Sequence, residues 1–464
     1  MAWTPTTTNR DARYPPRSQA VPMNSEEDQD VKLGTPPPSL ARKSASSFVL
    51  AVFIVALLYL GLTNDYSTPN LQHEVAPEEL LESSAVEDVT GHRKLPDFGQ
   101  YTKLRTLTGE WLEKGDKRLI LVGDIHGMAG SLEALLDKVD YTPPHDTLIH
   151  LGDIISKGPM SLEVLDRVAR QNVTGVRGNH DQKVIEWRGY MEWVQKQKGG
   201  AEWFDSLVKM KLTPADYKSL SKSYKKFPIP KDWEWGGDHW TIAKTMSALE
   251  YDYLRNLPLA IHIPILHTFV VHAGILPIDP KKPIHEKHQP LSYPPTRHRQ
   301  TNEAMRTAQE LAIIYDIPQN EIPWTLLNMR SVTKRGKISR KSDVGVPWAE
   351  MWNEVQGLCG GFKARRQSDG DIPEQESEDL RKKKLPCHPT TVIYGHAAAR
   401  GLDIQRWSQG IDTACVKGGR LTAMLIGDQR SKGIDKASGQ GELIRFGDKM
   451  EARLVSVKCS LSEV

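Results

Sequence analysis

The chain has 464 residues, 61 Lys and Arg against 58 Asp and Glu, a formal net charge of +3 and 39% hydrophobic residues. That length holds one large domain or two ordinary ones, with enough apolar content for a core. The near balance of charge gives no reason to expect nucleic acid as a partner, so local charge must identify what the chain binds.

Residues 1–44 are rich in Pro, Ser, Thr and charge, include "TPPPS" at 35–39, and lack helix or strand periodicity. They read as a disordered tail. The uncharged stretch "SASSFVLAVFIVALLYLGLT" at 44–63 reaches the roughly 20 residues a membrane span needs, so a single transmembrane signal anchor is expected over 45–63. A buried core helix would carry a polar stripe and run on into more fold. A cleaved signal peptide would start with a short basic stretch and end at an A-x-A-like site.

Lys32, Arg42 and Lys43 precede the span, and 64–84 carries no Lys or Arg. The positive-inside bias then puts the N-terminus in the cytosol and the rest of the chain in a lumen or outside the cell, as a type II protein. Residues 64–95, with Glu74, Glu78, Glu79, Glu82, Glu87 and Asp88, read as an acidic stalk. Asn172-Val173-Thr174 is a glycosylation sequon, and the turn-like Gly175 after it argues for an exposed loop. Cys359, Cys387, Cys415 and Cys459 permit one or two disulfides, with three complete pairings possible and no C-x-x-C spacing.

From about residue 96 the pattern turns globular. "KRLILVGDIHG" at 117–127 is an apolar strand ending in Gly-Asp-x-His-Gly, followed by the helical spacing of "SLEALLDKV". "DTLIHLGD" at 146–153 and "SLEVLDRVAR" repeat the design, and "VTGVRGNHD" at 173–181 repeats it again. Strand, ligand-bearing loop, helix, three times over, predicts an α/β fold with its ligands at the carboxyl ends of strands. Those ends offer Asp124, His126, Asp153, Asn179 and His180; "TFVVHAG" adds His272 and "TTVIYGH" adds His396. Any one of these motifs alone is as well explained by a turn or a core histidine. In series they supply oxygen and nitrogen ligands without thiolate, a set that suits Zn²⁺, Mn²⁺ or Fe²⁺. Two such ions about 3.5 to 4 Å apart are the usual apparatus for in-line attack of a metal-bound hydroxide on phosphorus.

The series GDIHG, GD-x(4)-KGP, GNHD, HAG and GH resembles the phosphoprotein-phosphatase superfamily of binuclear metallophosphoesterases. GNHD, with "IDTACVKGGRLTAM" at 411–424, is similar to its diadenosine-tetraphosphatase-like branch, and an N-terminal anchor on such a domain most resembles the membrane-anchored endopolyphosphatases of fungal vacuoles. The resemblance implies a calcineurin-like fold of two packed mixed β-sheets flanked by helices over 96–464. It implies two divalent ions per site, Zn²⁺ first among Zn²⁺, Mn²⁺, Co²⁺ and Fe²⁺. Asp124, His126 and Asp153 would hold one ion, and Asp153, Asn179, His272 and His396 the other, with Asp153 bridging as the central catalytic carboxylate and His180 protonating the leaving oxygen. It also implies a vacuolar membrane, although other secretory or endosomal membranes fit the anchor equally.

Where protein phosphatases of this superfamily carry Asp and Arg, this chain has Ser156 and Lys157. Lys keeps an attraction for phosphate without a planar fork, and His180 loses a carboxylate partner. Phosphate, whose second pKa is about 6, leaves a phosphoanhydride with little proton help, so the pair suits phosphoanhydrides better than phosphoproteins. On this reading, restoring Asp-Arg should raise phosphomonoester hydrolysis more than polyphosphate cleavage. The basic stretch 328–341 and "RKKK" at 381–384 are ordinarily solvated loops. Arg330, which follows the apolar "WTLLNM", is the candidate phosphate clamp beside Lys157. The tryptophans of 185–262 suggest a helical cap held by aromatic packing rather than a base-stacking surface.

The expected substrate is inorganic polyphosphate. The alternatives are a dinucleoside polyphosphate, a lumenal phosphoprotein, or no substrate at all in a membrane-tethered phosphate-binding protein, against which the intact ligand set weighs.

Overall fold

Alternation along the apolar strands builds three layers of core. In the strand Arg118–Val122, Leu119 and Leu121 join Ile149, Ile261, Ile263, Val270 and Ile393 in a cluster between two sheets. Ile120 and Val122 point the other way, onto helices. On the opposite sheet Phe269, Val271, Val392 and Tyr394 again face helices while Val270 and Ile393 face inward. Successive side chains of a strand alternate faces, and these strands are covered on both, which is why they read as unbroken apolar runs.

The computed structural model describes residues 95–108, 117–210, 212, 216, 227–230, 232–293, 301–364, 384–427 and 441–460. The tail, the expected span and the stalk up to residue 94 lie outside them. Among the described residues no helix is long and apolar enough to cross a membrane.

One six-stranded sheet runs, edge to edge, Glu442–Phe446, Met450–Lys458, Arg420–Ile426, Arg118–Val122, Asp146–His150, Thr174–Gly175; its last three strands are mutually parallel. The other runs Thr102–Thr106, Pro258–Ile263, Thr268–Val271, Thr391–Tyr394, Ser408–Gly410, Asp403–Ile404. Within it, Thr268–Val271, Thr391–Tyr394 and Ser408–Gly410 are parallel. The helices Ala129–Lys138 and Ser161–Arg170 lie where the sequence spacing put them, burying Leu132, Leu135 and Leu136, and Val164, Leu165 and Val168.

Several local expectations change. Gly175 makes no turn: it lies in a strand, where an added Cβ would fall 2.1 Å from His150 Nε2. Asn172, just before it, is nevertheless exposed. The helical stretch read over 185–262 begins earlier, in Asn179–Lys196, and ends at Asn256, because the apolar Pro258–Ile263 enters the sheet. Its tryptophans pack against one another, as in Trp187 with Trp233 at 4.7 Å and Trp235 with Trp240 at 5.1 Å between ring centroids. The basic stretch after Arg330 is ordered in a small three-stranded sheet of Ser331–Val332, Ile338–Ser339 and Val346–Pro347. Of "RKKK", only Lys384 falls within the described residues.

The cysteines pair as Cys359–Cys387 and Cys415–Cys459, 28 and 44 residues apart in sequence. Cys459→Ser reopens the longer loop and is expected to lower the unfolding free energy by about 4 kcal/mol on the loop-entropy account, whereas a urea-titration loss below about 1 kcal/mol would contradict it.

Candidate active site

Each ligand candidate follows a strand. Asp124 and His126 come after Arg118–Val122, Asp153 after Asp146–His150, and Asn179 after Thr174–Gly175. His272 follows Thr268–Val271, and His396 follows Thr391–Tyr394. The chain turns sharply to deliver them: His126, Asp153 and His396 hold φ of 49°, 48° and 63°, and Ser156 and Lys157 hold 74° and 70°. Left-handed backbone is costly for such residues and persists where surrounding structure enforces it, commonly at functional sites. Glycines make room for the approach. A Cβ on Gly395 would lie 2.1 Å from Asp124 Oδ1, and one on Gly178 2.2 Å from Asp153 Oδ1.

The side chains converge in two groups that share Asp153: Asp124, His126 and Asp153, and Asp153, His272 and His396, with one ligand atom of each within 4.8 Å of the others. Asn179 joins the second group through Oδ1, 3.1 Å from His272 Nε2. A proton count around His272 shows what the place is built for. Its Nδ1 faces the Leu151 carbonyl at 2.8 Å, while Nε2 faces Asn179 Oδ1 and, at 3.4 Å, Asp153 Oδ1. All three are acceptors, yet a neutral imidazole has one N–H. The Nε2 face, which His396 Nδ1 also meets at 3.2 Å, thus suits an added positive charge, either a second proton or a metal ion.

Electrostatics states the same demand. Burial alone would lower the His272 pKa, but Asp153 and Asp124 lift it to about 9. Asp153, despite burial, is held well below the carboxylate range by His272 and His180. Burial and the nearby Asp412 push Asp124 well above it. Asp124, Asp153 and Asp412 are three buried carboxylates around one cavity, an arrangement that costs heavily unless cations are shared among them. An all-oxygen-and-nitrogen donor set of this shape fits divalent Zn²⁺, Mn²⁺, Co²⁺ or Fe²⁺.

Residues that sequence reasoning missed complete the site. Asp412, after the strand Ser408–Gly410, lines the cavity. Asp181 accepts the backbone N–H groups of Asp153, Ile154 and Gly178 and so pins the Asp153 turn. From the helix Asp238–Thr245 come two more. Asp238 Oδ2 accepts both Ser156 Oγ–H and Lys157 N–H at 2.6 Å, and His239 Nε2 lies 2.8 Å from His180 Nδ1. The contact that holds His180 comes from another element and is a ring nitrogen, not the carboxylate that Ser156 replaces. Burial holds His180 near pKa 3 and His239 near 4, so both rings are neutral near physiological pH.

The structure also revises the effect expected of restoring Asp-Arg. Ser156 is 1% exposed and already bonded to Asp238, so Ser156→Asp would bury a carboxylate facing that of the more exposed Asp238. Alone it is expected to lower both stability and turnover, and pairing it with Asp238→Asn should recover the stability. A gain in phosphomonoester hydrolysis from Ser156→Asp without the second change would contradict this.

The cavity has a volume of about 90 Å³. Lys157, Arg330 and the unforeseen Lys417 stand around it with Ala398, Ala414 and Val416, and no Trp, Tyr or Phe is among its described lining residues. Lys157 Nζ approaches His126 Nε2 at 3.1 Å, and Arg330 is oriented by donating from Nη2 to the His396 carbonyl at 3.2 Å. A larger groove, near 300 Å³, lies between the helices Ala129–Lys138 and Ser161–Arg170, but its charged residues are Glu133, Glu163 and Arg167, and Arg167 is paired with Glu133.

Residues 117–399 match the family model of calcineurin-like phosphoesterases. A symmetrical bis(5'-nucleosyl)-tetraphosphatase of Xanthomonas oryzae pv. oryzae is 25% identical over 66% of this chain and 80% of its own. A zinc-dependent endopolyphosphatase of Saccharomyces cerevisiae is 24% identical over 68% of this chain and 78% of its own. Among solved structures, a protein serine/threonine phosphatase from Saccharomyces cerevisiae is 14% identical and covers 78% of this chain and 86% of that one at a TM-score of 0.33.

Proposed function

This chain belongs to the calcineurin-like phosphoesterase family, and from that premise we propose that it hydrolyses phosphoanhydride bonds, with inorganic polyphosphate as its substrate. The observation that carries the choice of substrate is the cavity wall: beside the ligand groups stand three cations and small aliphatic side chains, and no Trp, Tyr or Phe to face a base is among its described lining residues. A chain of phosphates needs only distributed positive charge. The endopolyphosphatase relative from yeast supports the same reading.

Asp124, His126 and Asp153 would hold one divalent ion, and Asp153, Asn179, His272 and His396 a second, Zn²⁺ first. When bound, such ions neutralise charge on the phosphoryl oxygens and acidify water. The chain's own residues do the rest. Lys157, Arg330 and Lys417 draw the anionic substrate in. Asp153, fixed by Asp181, stays ionised between the two ligand groups. His180, whose Nδ1 is taken by His239, offers Nε2 to the cavity as a hydrogen-bond donor toward the departing phosphate.

A second reading is favoured by the tetraphosphatase relative, namely hydrolysis of a dinucleoside polyphosphate. Purified full-length chain given long-chain polyphosphate, a dinucleoside tetraphosphate and a phosphopeptide under the same divalent ion separates the readings. The proposal expects polyphosphate to have the highest kcat/KM and the phosphopeptide the lowest. A dinucleotide turned over faster than polyphosphate would replace the first reading with the second.

We further infer a type II membrane protein with its catalytic domain in a lumen, the vacuole first. The basic flank before residue 44, the exposed Asn172 and the two disulfides support it. Asn172→Gln should then abolish a glycosidase-sensitive mass shift in the cell-made protein, and the absence of that shift in the parent chain would count against a lumenal domain.

A further inference from the structure

The resemblance leaves His180 without its carboxylate, and the helix Asp238–Thr245 supplies a different contact. His180 Nδ1 and His239 Nε2 are 2.8 Å apart, with the two rings tilted by only 16° and their centroids 5.0 Å apart. At that separation the rings meet edge to edge, nearly coplanar, as an N–H···N bond requires.

Three contacts settle the direction of that bond. Ser156 Oγ–H is committed to Asp238 Oδ2 at 2.6 Å, because a carboxylate can only accept. Ser156 Oγ then has only lone pairs to show His239 Nε2, 3.3 Å away. A bare Nε2 would repel it, so Nε2 carries the proton and gives it to the nearer acceptor, His180 Nδ1. His180, neutral and with Nδ1 accepting, carries its own proton on Nε2, the nitrogen left to the cavity it lines.

We propose that His239 is a positioning residue for His180, donating from Nε2 to His180 Nδ1 and so fixing the tautomer in which His180 presents Nε2–H to the substrate. Asp238 is the anchor, taking Ser156 Oγ–H and Lys157 N–H together. A carboxylate at position 156 would do the opposite: as an acceptor it would draw the proton onto Nδ1 and leave a neutral His180 with a lone pair facing the substrate. The His239 arrangement yields a donor without first charging the ring, which suits a departing phosphate that needs a hydrogen bond more than a full proton. This rests on the phosphoanhydride reading and adds to it how the donor is set.

The test is a double-mutant cycle on the full chain, following polyphosphate cleavage. His239→Ala is expected to lower kcat about 10- to 100-fold, the usual cost of misplacing a catalytic group, with KM little changed. Metal content and melting temperature should stay at the parent values. His239→Gln, whose amide N–H can still donate, should recover most of the rate. In a His180→Ala background, His239→Ala should cost nothing further, since its effect runs through His180. Full activity of His239→Ala, losses that multiply in the double variant, or a fall in metal content or melting temperature that accounts for the rate would each overturn the proposal. If the parent chain leaves polyphosphate intact, the substrate reading fails on its own, and the same cycle is run on whichever phosphate compound of the panel is cleaved.

Discussion

Asp153→Asn is expected to remove both bound metal and hydrolysis. Asp153 is the one residue common to both ligand groups, it is 2% exposed, and its carboxylate is held well below the normal range by His272 and His180 despite burial. Asn keeps the shape and one acceptor but removes the formal charge from between the groups. Losing a partner that merely orients a ligand costs about 10- to 100-fold in affinity or activity, and losing a shared ligand should exceed that. The turn itself should survive, because Asp181 holds the backbone N–H groups of residues 153 and 154. Elemental analysis with an activity assay checks it: near-parent turnover with a full metal complement would rule out Asp153 as the shared ligand.

His180→Ala is expected to divide substrates by their leaving groups. Losing one oriented donor in the transition state costs about 10²- to 10³-fold, and polyphosphate turnover should fall toward the lower end of that range. A phosphopeptide expels an alkoxide that depends on proton donation, and general acid catalysis supplies about 10²- to 10⁴-fold, so its turnover should fall at least tenfold further. Parallel rate measurements on the two substrates decide the matter. Equal losses would mean that the Ser156-Lys157 pair does not reflect leaving-group chemistry.

The strand ends were legible because each motif sits where an apolar run stops. Leu119 to Val122, Leu148 to Leu151 and Phe269 to Val271 are buried on both faces, so their sequences announce parallel strands, and the residue after each is a turn residue or a ligand. Asp412 could have been found the same way, following the buried Ser408–Gly410 and Ile411, but a three-residue strand of Ser, Gln and Gly has no apolar signature. Asp238, His239 and Lys417 gave no local signal at all. The first two open a short helix within a long Trp-rich segment and reach Ser156 and His180 only through tertiary packing, more than fifty residues away in sequence. The cysteine pairing was open for the same reason: three pairings satisfy the spacing, and only the strands that carry Cys415 toward Cys459 choose between them.

The central claim is a metal site built around Asp153 that cleaves phosphoanhydrides. It is tested most directly by stripping the purified full chain with a chelator and titrating Zn²⁺ back while polyphosphate chain length is followed. Cleavage should be absent in the stripped protein and rise to its maximum as two equivalents bind. Undiminished cleavage after stripping, or none with two equivalents bound, would contradict it.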